Sequence, residues 1–266
     1  MKRIHLVMAT VLLLMTGCTD NKNKGRETAS EPEEEPLPER YENDDLPKTA
    51  DELFDDFVYY FASNEQLQRR RIAFPLKVNA SLVEQQQWQM EPLFMSVGEY
   101  AQIFNTPEQK ELVNDTTIAD AIVEKIFLNA DSVRQYVFSR NDGRWQLTEI
   151  RDQQLSNNAN ATFLSFYQQF ATDSAFQRNS LCDEIAFSGA DPDDDFAEMK
   201  GFITPGSWEA FAPELPQDSL YNIVYGKQST QSKERIFTIC GISNGLETEL
   251  VFQLKRGKWK LASLTE

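Results

Sequence analysis

Apolar residues recur along this chain with two periods, and each set occurs twice. Phe54, Phe57, Val58 and Phe61 fall at i, i+3, i+4 and i+7, the stripe that one face of a helix buries. Phe163, Phe166, Tyr167 and Phe170 repeat that spacing further along. Both stripes lead through a short polar turn to a Gln-Arg pair, Gln68-Arg69 and Gln177-Arg178. A looser correspondence sets Pro92, Tyr100, Ile103 and Phe104 against Pro213, Tyr221, Val224 and Tyr225. Glu124-Lys125-Ile126-Phe127 and Glu234-Arg235-Ile236-Phe237 then read as strands. Finally the run from Tyr136 to Leu147 matches the run from Leu250 to Leu261 without a gap. It predicts a strand, a turn at Gly143 or Gly257, and a strand carrying Trp145 or Trp259. The glycine supplies the positive φ that a tight hairpin requires.

Helix first and antiparallel strands later is the order of an α+β fold, with helices packed on one face of a curved sheet. The duplication divides the chain into a first copy at residues 49–153 and a second at 159–266, joined by a short polar linker. Each copy has roughly 105 residues, enough to bury a core of its own.

The polar stretch before the first copy changes the picture from fold to location. Lys2 and Arg3 precede an apolar run from Leu6 to Met15, which is too short to span a bilayer and ends in Leu14-Met15-Thr16-Gly17-Cys18. Residues 1–17 therefore read as a signal peptide. The small residues before Cys18 resemble a bacterial lipobox, in which the thiol takes a diacylglycerol and the new N-terminus a further acyl chain such as palmitate. Several chains give stable anchoring where one is marginal. An ordinary cleaved signal with a free cysteine is the alternative. Residue 19 is Thr rather than Asp, which favours the outer membrane over retention at the inner one. Residues 18–48, with Glu33-Glu34-Glu35-Pro36 at their centre, form an acidic, Pro-rich tether of the kind that stays extended. The expected localisation is the cell envelope, with the N-terminal lipid as the membrane partner.

A net charge of −16 repels phosphate backbones and argues against a nucleic-acid partner. The sole histidine, His5, lies in the leader. Loss of the leader leaves no Ser-His or Cys-His pair and no histidine metal ligand. Asp191, Asp193 and Asp195 alternate as calcium-loop acids do, but Phe196 replaces the required Gly and Phe202 stands where Glu is needed. A solvated loop is the plainer reading, and neither metal nor cofactor is expected. Cys182 and Cys240 replace Ala73 and Ala130 of the first copy. They are either a disulfide or two separate buried thiols. Arg69 and Arg178 occupy matched positions, as carboxylate clamps in a pocket or as structural closures of the helix end. Trp145 and Trp259 line a pocket mouth or pack.

The text Asp51-Glu52-Leu53-Phe54-Asp55-Asp56-Phe57, the later Gln68-Arg69 and Phe74-Pro75-Leu76, the lipobox and the doubled layout resemble an uncharacterised bacterial lipoprotein family, domain of unknown function 4348. The resemblance implies two tandem nuclear transport factor 2-like, or ketosteroid isomerase-like, cones. Each would be a long helix on a bent antiparallel sheet with a pocket at its open end. It implies no activity. The reading is a non-catalytic envelope protein that binds a small ligand or an envelope protein. The rival is an enzyme using a buried carboxylate and a tyrosine, with no catalytic residue assigned by motif. A deep pocket holding that pair favours the enzyme, and a cone plugged by Phe and Trp favours the scaffold.

Overall fold

Both Phe-striped segments are helical in the computed structural model, which describes residues 48–191, 194–226 and 232–266. Each is a pair of helices rather than one long rod. α1 (Phe54–Ser63) and α3 (Ala161–Thr172) stop at Asn64 and Asp173, whose backbones are extended. Those residues cap the next helices. Asn64 Oδ1 accepts from Leu67 N in α2 (Glu65–Arg70), and Asp173 Oδ1 accepts from Ala175 N and Phe176 N in α4 (Ser174–Asn179). A side-chain acceptor on an extended residue starts a helix afresh.

The first copy contributes β1 (Ile72–Val78), β2 (Ser81–Val83), β3 (Glu99–Phe104), β4 (Asp120–Phe127), β5 (Ser132–Asn141) and β6 (Arg144–Gln154). The second contributes β7 (Leu181–Asp191), β8 (Asp194–Ile203), β9 (Ser219–Tyr225), β10 (Glu234–Gly241), β11 (Glu247–Lys255) and β12 (Lys258–Thr265). The repeated hairpins β5–β6 and β11–β12 turn on Asp142-Gly143 and Arg256-Gly257, with positive φ at all four residues. Two successive left-handed residues make the turn whose twist matches its strands.

All these strands join one curved sheet in the order β2-β1-β6-β5-β4-β9-β3-β10-β11-β12-β7-β8. Read from either end, the order gives the same equivalents until the centre, where the copies exchange a strand. β9 of the second copy pairs antiparallel with β4 of the first, β3 of the first pairs antiparallel with β10 of the second, and β3 and β9 run parallel to each other. Neither copy closes its sheet with its own residues.

Exchange also distributes the two hydrophobic cores. Side chains alternate between faces along a strand, and in β9 Tyr221, Ile223 and Tyr225 enter the core under α1 while Leu220 enters the core under α3. In β3, Phe104 faces the first core and Ala101 and Ile103 the second. The cores therefore lie on opposite faces of one sheet, and each draws on both copies. The sequence reading of a core per copy is amended accordingly. β9 is buried from Leu220 through Tyr225, as befits a strand covered on both sides.

A buried carboxylate locks this junction. Glu124 of β4 accepts from Gln135 Nε2 (2.7 Å), from Asn158 Nδ2 of the linker (2.7 Å) and from Asn222 Nδ2 of β9 (2.9 Å). Asn222 Oδ1 in turn accepts from Ile103 N of β3 (3.1 Å).

Candidate functional site

The exchanged strands assemble one group of polar side chains that neither copy could build alone. Asp55 is the second residue of α1, and its carboxylate points at the sheet. Tyr225 of β9 donates to its Oδ1 at 2.5 Å. Tyr100 and Gln102 of β3 reach its Oδ2, each at 3.4 Å. Gln102 Nε2 also donates to the Tyr225 oxygen at 2.6 Å, closing the network. Burial pushes the Asp55 carboxyl up to about 6, against the opposing pull of the Tyr225 and Tyr100 hydrogen bonds. Burial and the neighbouring carboxylate also push both phenols upward. A cavity of about 220 Å³ opens beside the group, walled by Asp55, Asp56, Tyr59, Phe94 and Tyr100. This is a carboxylic acid able to give or take a proton near neutrality, with tyrosine hydroxyls as donors to its ionised form. The matched residue in α3 is Leu164, fully buried, so the second copy has no such acid.

A larger cleft of about 610 Å³ lies between α3, α4 and the β11–β12 hairpin. Phe166, Phe176, Leu254 and Trp259 form its walls, and Lys258 and Lys260 are its charged residues. Phe163 packs edge-on against Trp259, with ring centres 5.6 Å apart, and the Arg235 guanidinium lies 5.4 Å above the same ring. The Arg235 Nε donates to Asn160 Oδ1 at 3.0 Å.

Of the four residues that the sequence offered as a pocket lining, Arg69, Arg178, Trp145 and Trp259, only Trp259 borders this cleft. Trp145 is fully buried, 4.9 Å from Phe54 in an edge contact. Arg69 closes a loop: it pairs with Glu65 at 2.9 Å and donates to the carbonyls of Gln85 (2.7 Å) and Trp88 (2.9 Å). Arg178 is exposed at the end of α4. The structure does not bring the four together as a pocket lining. Their neighbours explain the matched text better. Gln68 Oε1 accepts from Trp88 Nε1 (3.1 Å), and Gln177 Oε1 accepts from Trp208 Nε1 (2.9 Å). Each glutamine holds the equivalent buried indole of its copy.

The disulfide alternative is corrected: Cys182 and Cys240 are both free thiols. They sit on β7 and β10, three strand positions apart in the sheet. That is about 14 Å across the ladder, beyond the reach of a bridge. Cys182 Sγ lies 3.2 Å from Lys255 Nζ. Burial pushes the Cys240 thiol up to about 12, with Glu247 and Asp55 adding to it, which keeps it protonated and unreactive. Cys18 and the tether lie outside the described residues, as does part of the acid-rich loop at Asp191–Asp195. Among the described residues no three His, Cys, Asp or Glu side chains are grouped to hold a metal.

The Asp55 network escaped the sequence reading because Asp55 looks like any acid in a first helical turn. One signal was present: its counterpart across the repeat is Leu164, which marks the position as facing the interior.

A large curved sheet with a few helices against it is an NTF2-like fold. A crystal structure of an NTF2-like protein from Bacteroides fragilis NCTC 9343 is similar to this chain, with a TM-score of 0.75 and 38% identity over 83% of this chain and 98% of that one. An NTF-2 like protein of unknown function from Silicibacter pomeroyi DSS-3 matches 40% of this chain and 90% of its own at 13% identity, with a TM-score of 0.26, too distant to bear on the fold. Residues 33–266 match the domain of unknown function DUF4348, and the chain belongs to that family. No curated protein matches it.

Proposed function

We propose that this protein is a lipid-anchored component of the cell envelope, held at the outer membrane through Cys18, whose paired NTF2-like cones bind a small ligand or an envelope protein without turning it over. The supporting observation is what fills the space between helix and sheet. Phe54, Phe57, Phe61, Phe138 and Trp145 occupy it in one half, and Phe163, Phe170, Phe237 and Phe252 in the other, all at most 1% exposed. A small-molecule site needs an open cleft or cavity, and this space is occupied by side chains. Binding then falls to the outside of the cones, where a cleft of about 610 Å³ lies beside Trp259. Among the described residues no helix is long and apolar enough to cross a membrane. Native mass spectrometry of protein purified from its own envelope tests the reading: a retained small molecule or a stoichiometric partner supports it. Cys18→Ala is expected to move the protein from the membrane to the soluble fraction, and unchanged fractionation rejects the anchor.

The Asp55 network supports a second reading, an enzyme whose acid–base pair is Asp55 with Tyr225 or Tyr100. The supporting observation is a carboxyl that titrates near neutrality at the wall of an open cavity. At about 220 Å³ the cavity is smaller than most small-molecule sites, which places this reading second. A ligand that shifts the Asp55 carboxyl resonance and is chemically altered on incubation supports it, and loss of that conversion in Asp55→Asn completes the test.

A further inference from the structure

The cleft beside Trp259 has a counterpart in the first copy, and there it is filled. Arg71, at the end of α2, is buried and holds Asp51 through two hydrogen bonds of 2.8 and 2.7 Å. Its guanidinium lies 5.7 Å over the Phe57 ring and donates to the Trp145 carbonyl at 3.3 Å. The Asp51 carboxylate also accepts from the Trp145 backbone N–H at 3.2 Å. The guanidinium thus covers the Phe57 ring, and guanidinium and carboxylate together hold the backbone of Trp145.

Phe166 and Trp259 are the matching rings of the second copy, and both border the cleft. The residue matching Arg71 is Ser180, which also borders it. The residue matching Asp51 is Asn160, whose side chain accepts from Arg235. The backbone of the second copy keeps the receiving geometry. Leu147 N donates to Arg71 O at 2.8 Å, and Leu261 N donates to Ser180 O at 2.8 Å. N–H groups two apart in a strand point the same way, so Trp259 N–H faces the side that Trp145 N–H faces in the first copy. No carboxylate lines the cleft, while Lys258 and Lys260 do. On a chain of net charge −16 this is a local reversal of sign beside an apolar wall.

We infer that the cleft takes a small carboxylic acid with an apolar body, its carboxylate standing where Asp51 stands in the first copy. The Trp259 N–H and the two ammonium groups receive the carboxylate, and Phe166, Phe176, Leu254 and the Trp259 ring cover the apolar part. This rests on the proposal that the protein binds a ligand outside its cones. At about 610 Å³ the cleft suits a ligand of that kind.

Isothermal titration of the full chain with decanoate, decanol and decyltrimethylammonium tests the inference. Decanoate is expected to bind at least about tenfold more tightly than either other probe, a difference of ~1.4 kcal/mol. Lys258→Glu with Lys260→Glu is expected to abolish that preference. Ser165→Trp, a substitution at an exposed position of α3 on the cleft wall, is expected to abolish binding by filling the space. Equal affinity for decanol overturns the carboxylate assignment and leaves the binding reading standing. Decanoate binding that survives both variants places the ligand elsewhere and overturns the inference. No binding of any probe overturns the inference and removes the cleft from the broader reading as well.

Discussion

Asp55 of the first copy accepts a 2.5 Å hydrogen bond from Tyr225 of the second, and that contact exists only because the copies trade their central strands. A helix residue and a strand residue far apart in sequence share one proton-sensitive network at the middle of the sheet. Its energetic consequence is a dependence of stability on pH.

The folded Asp55 carboxyl titrates at about 6, against an ordinary 3.8. The folded state therefore holds the proton more tightly than the unfolded chain does. The contribution is fully present below about pH 4 and is lost as pH rises through about 6. A shift of this size corresponds to ~3 kcal/mol. Asp55→Asn keeps an acceptor for Tyr225 and carries no charge. Urea denaturation should show it more stable than the unmodified protein by about 1–3 kcal/mol at pH 7.5 and about equal at pH 4. The same offset at both pH values would refute the buried titration.

Strand exchange also predicts how the molecule unfolds. Independent tandem domains would melt separately. Here β4 loses one of its two partners if β9 leaves, and β10 loses one of its two if β3 leaves. Urea unfolding followed by tryptophan fluorescence and by far-ultraviolet circular dichroism should give coincident single transitions. Two resolved steps would contradict the shared sheet.

The residues that sequence did and did not reveal divide along physical lines. Local signals were legible. The Phe stripes formed α1 and α3, and the Gly143 and Gly257 hairpins formed where expected, because each depends on a few adjacent residues. The exchange of β3 and β9 was not legible. Tyr100 aligns with Tyr221 whether each strand pairs within its copy or with the other, since the periodicity of a strand carries no label for its neighbour. Asp55 and Glu124 were missed for the same reason: part of what surrounds each, Tyr225 and Asn222, comes from the other copy. Arg69 was over-read because a matched position shows shared structure before it shows shared function.

Glu124 tests the junction directly. Its carboxylate satisfies three amide donors, from Gln135, Asn158 and Asn222. Glu124→Ala leaves all three unpaired in a site that is 3% exposed, and each unmet group costs about 1–3 kcal/mol. The variant should lose at least ~3 kcal/mol in urea denaturation, while Glu184→Ala at an exposed position should change stability by less than ~0.5 kcal/mol. A Glu124→Ala midpoint within error of the unmodified protein would remove the carboxylate from the account of how the copies are held.

Arg69 and Arg71 sit two residues apart and make opposite predictions. Arg69 is one-third exposed and grips two carbonyls and Glu65. Water replaces much of what its removal takes away, so Arg69→Ala should cost about 1 kcal/mol. Arg71 and Asp51 are both at least nine-tenths buried. Taking away the guanidinium strands a carboxylate against Phe57 and Trp145 with a single backbone donor at 3.2 Å. Arg71→Ala should therefore cost about 3–5 kcal/mol. Asp51→Asn with Arg71→Met removes both charges and keeps most of the volume, and it should recover most of that loss. The double-mutant cycle in urea decides the matter. If the double variant is no more stable than Arg71→Ala, the penalty comes from lost packing rather than from the unpaired carboxylate.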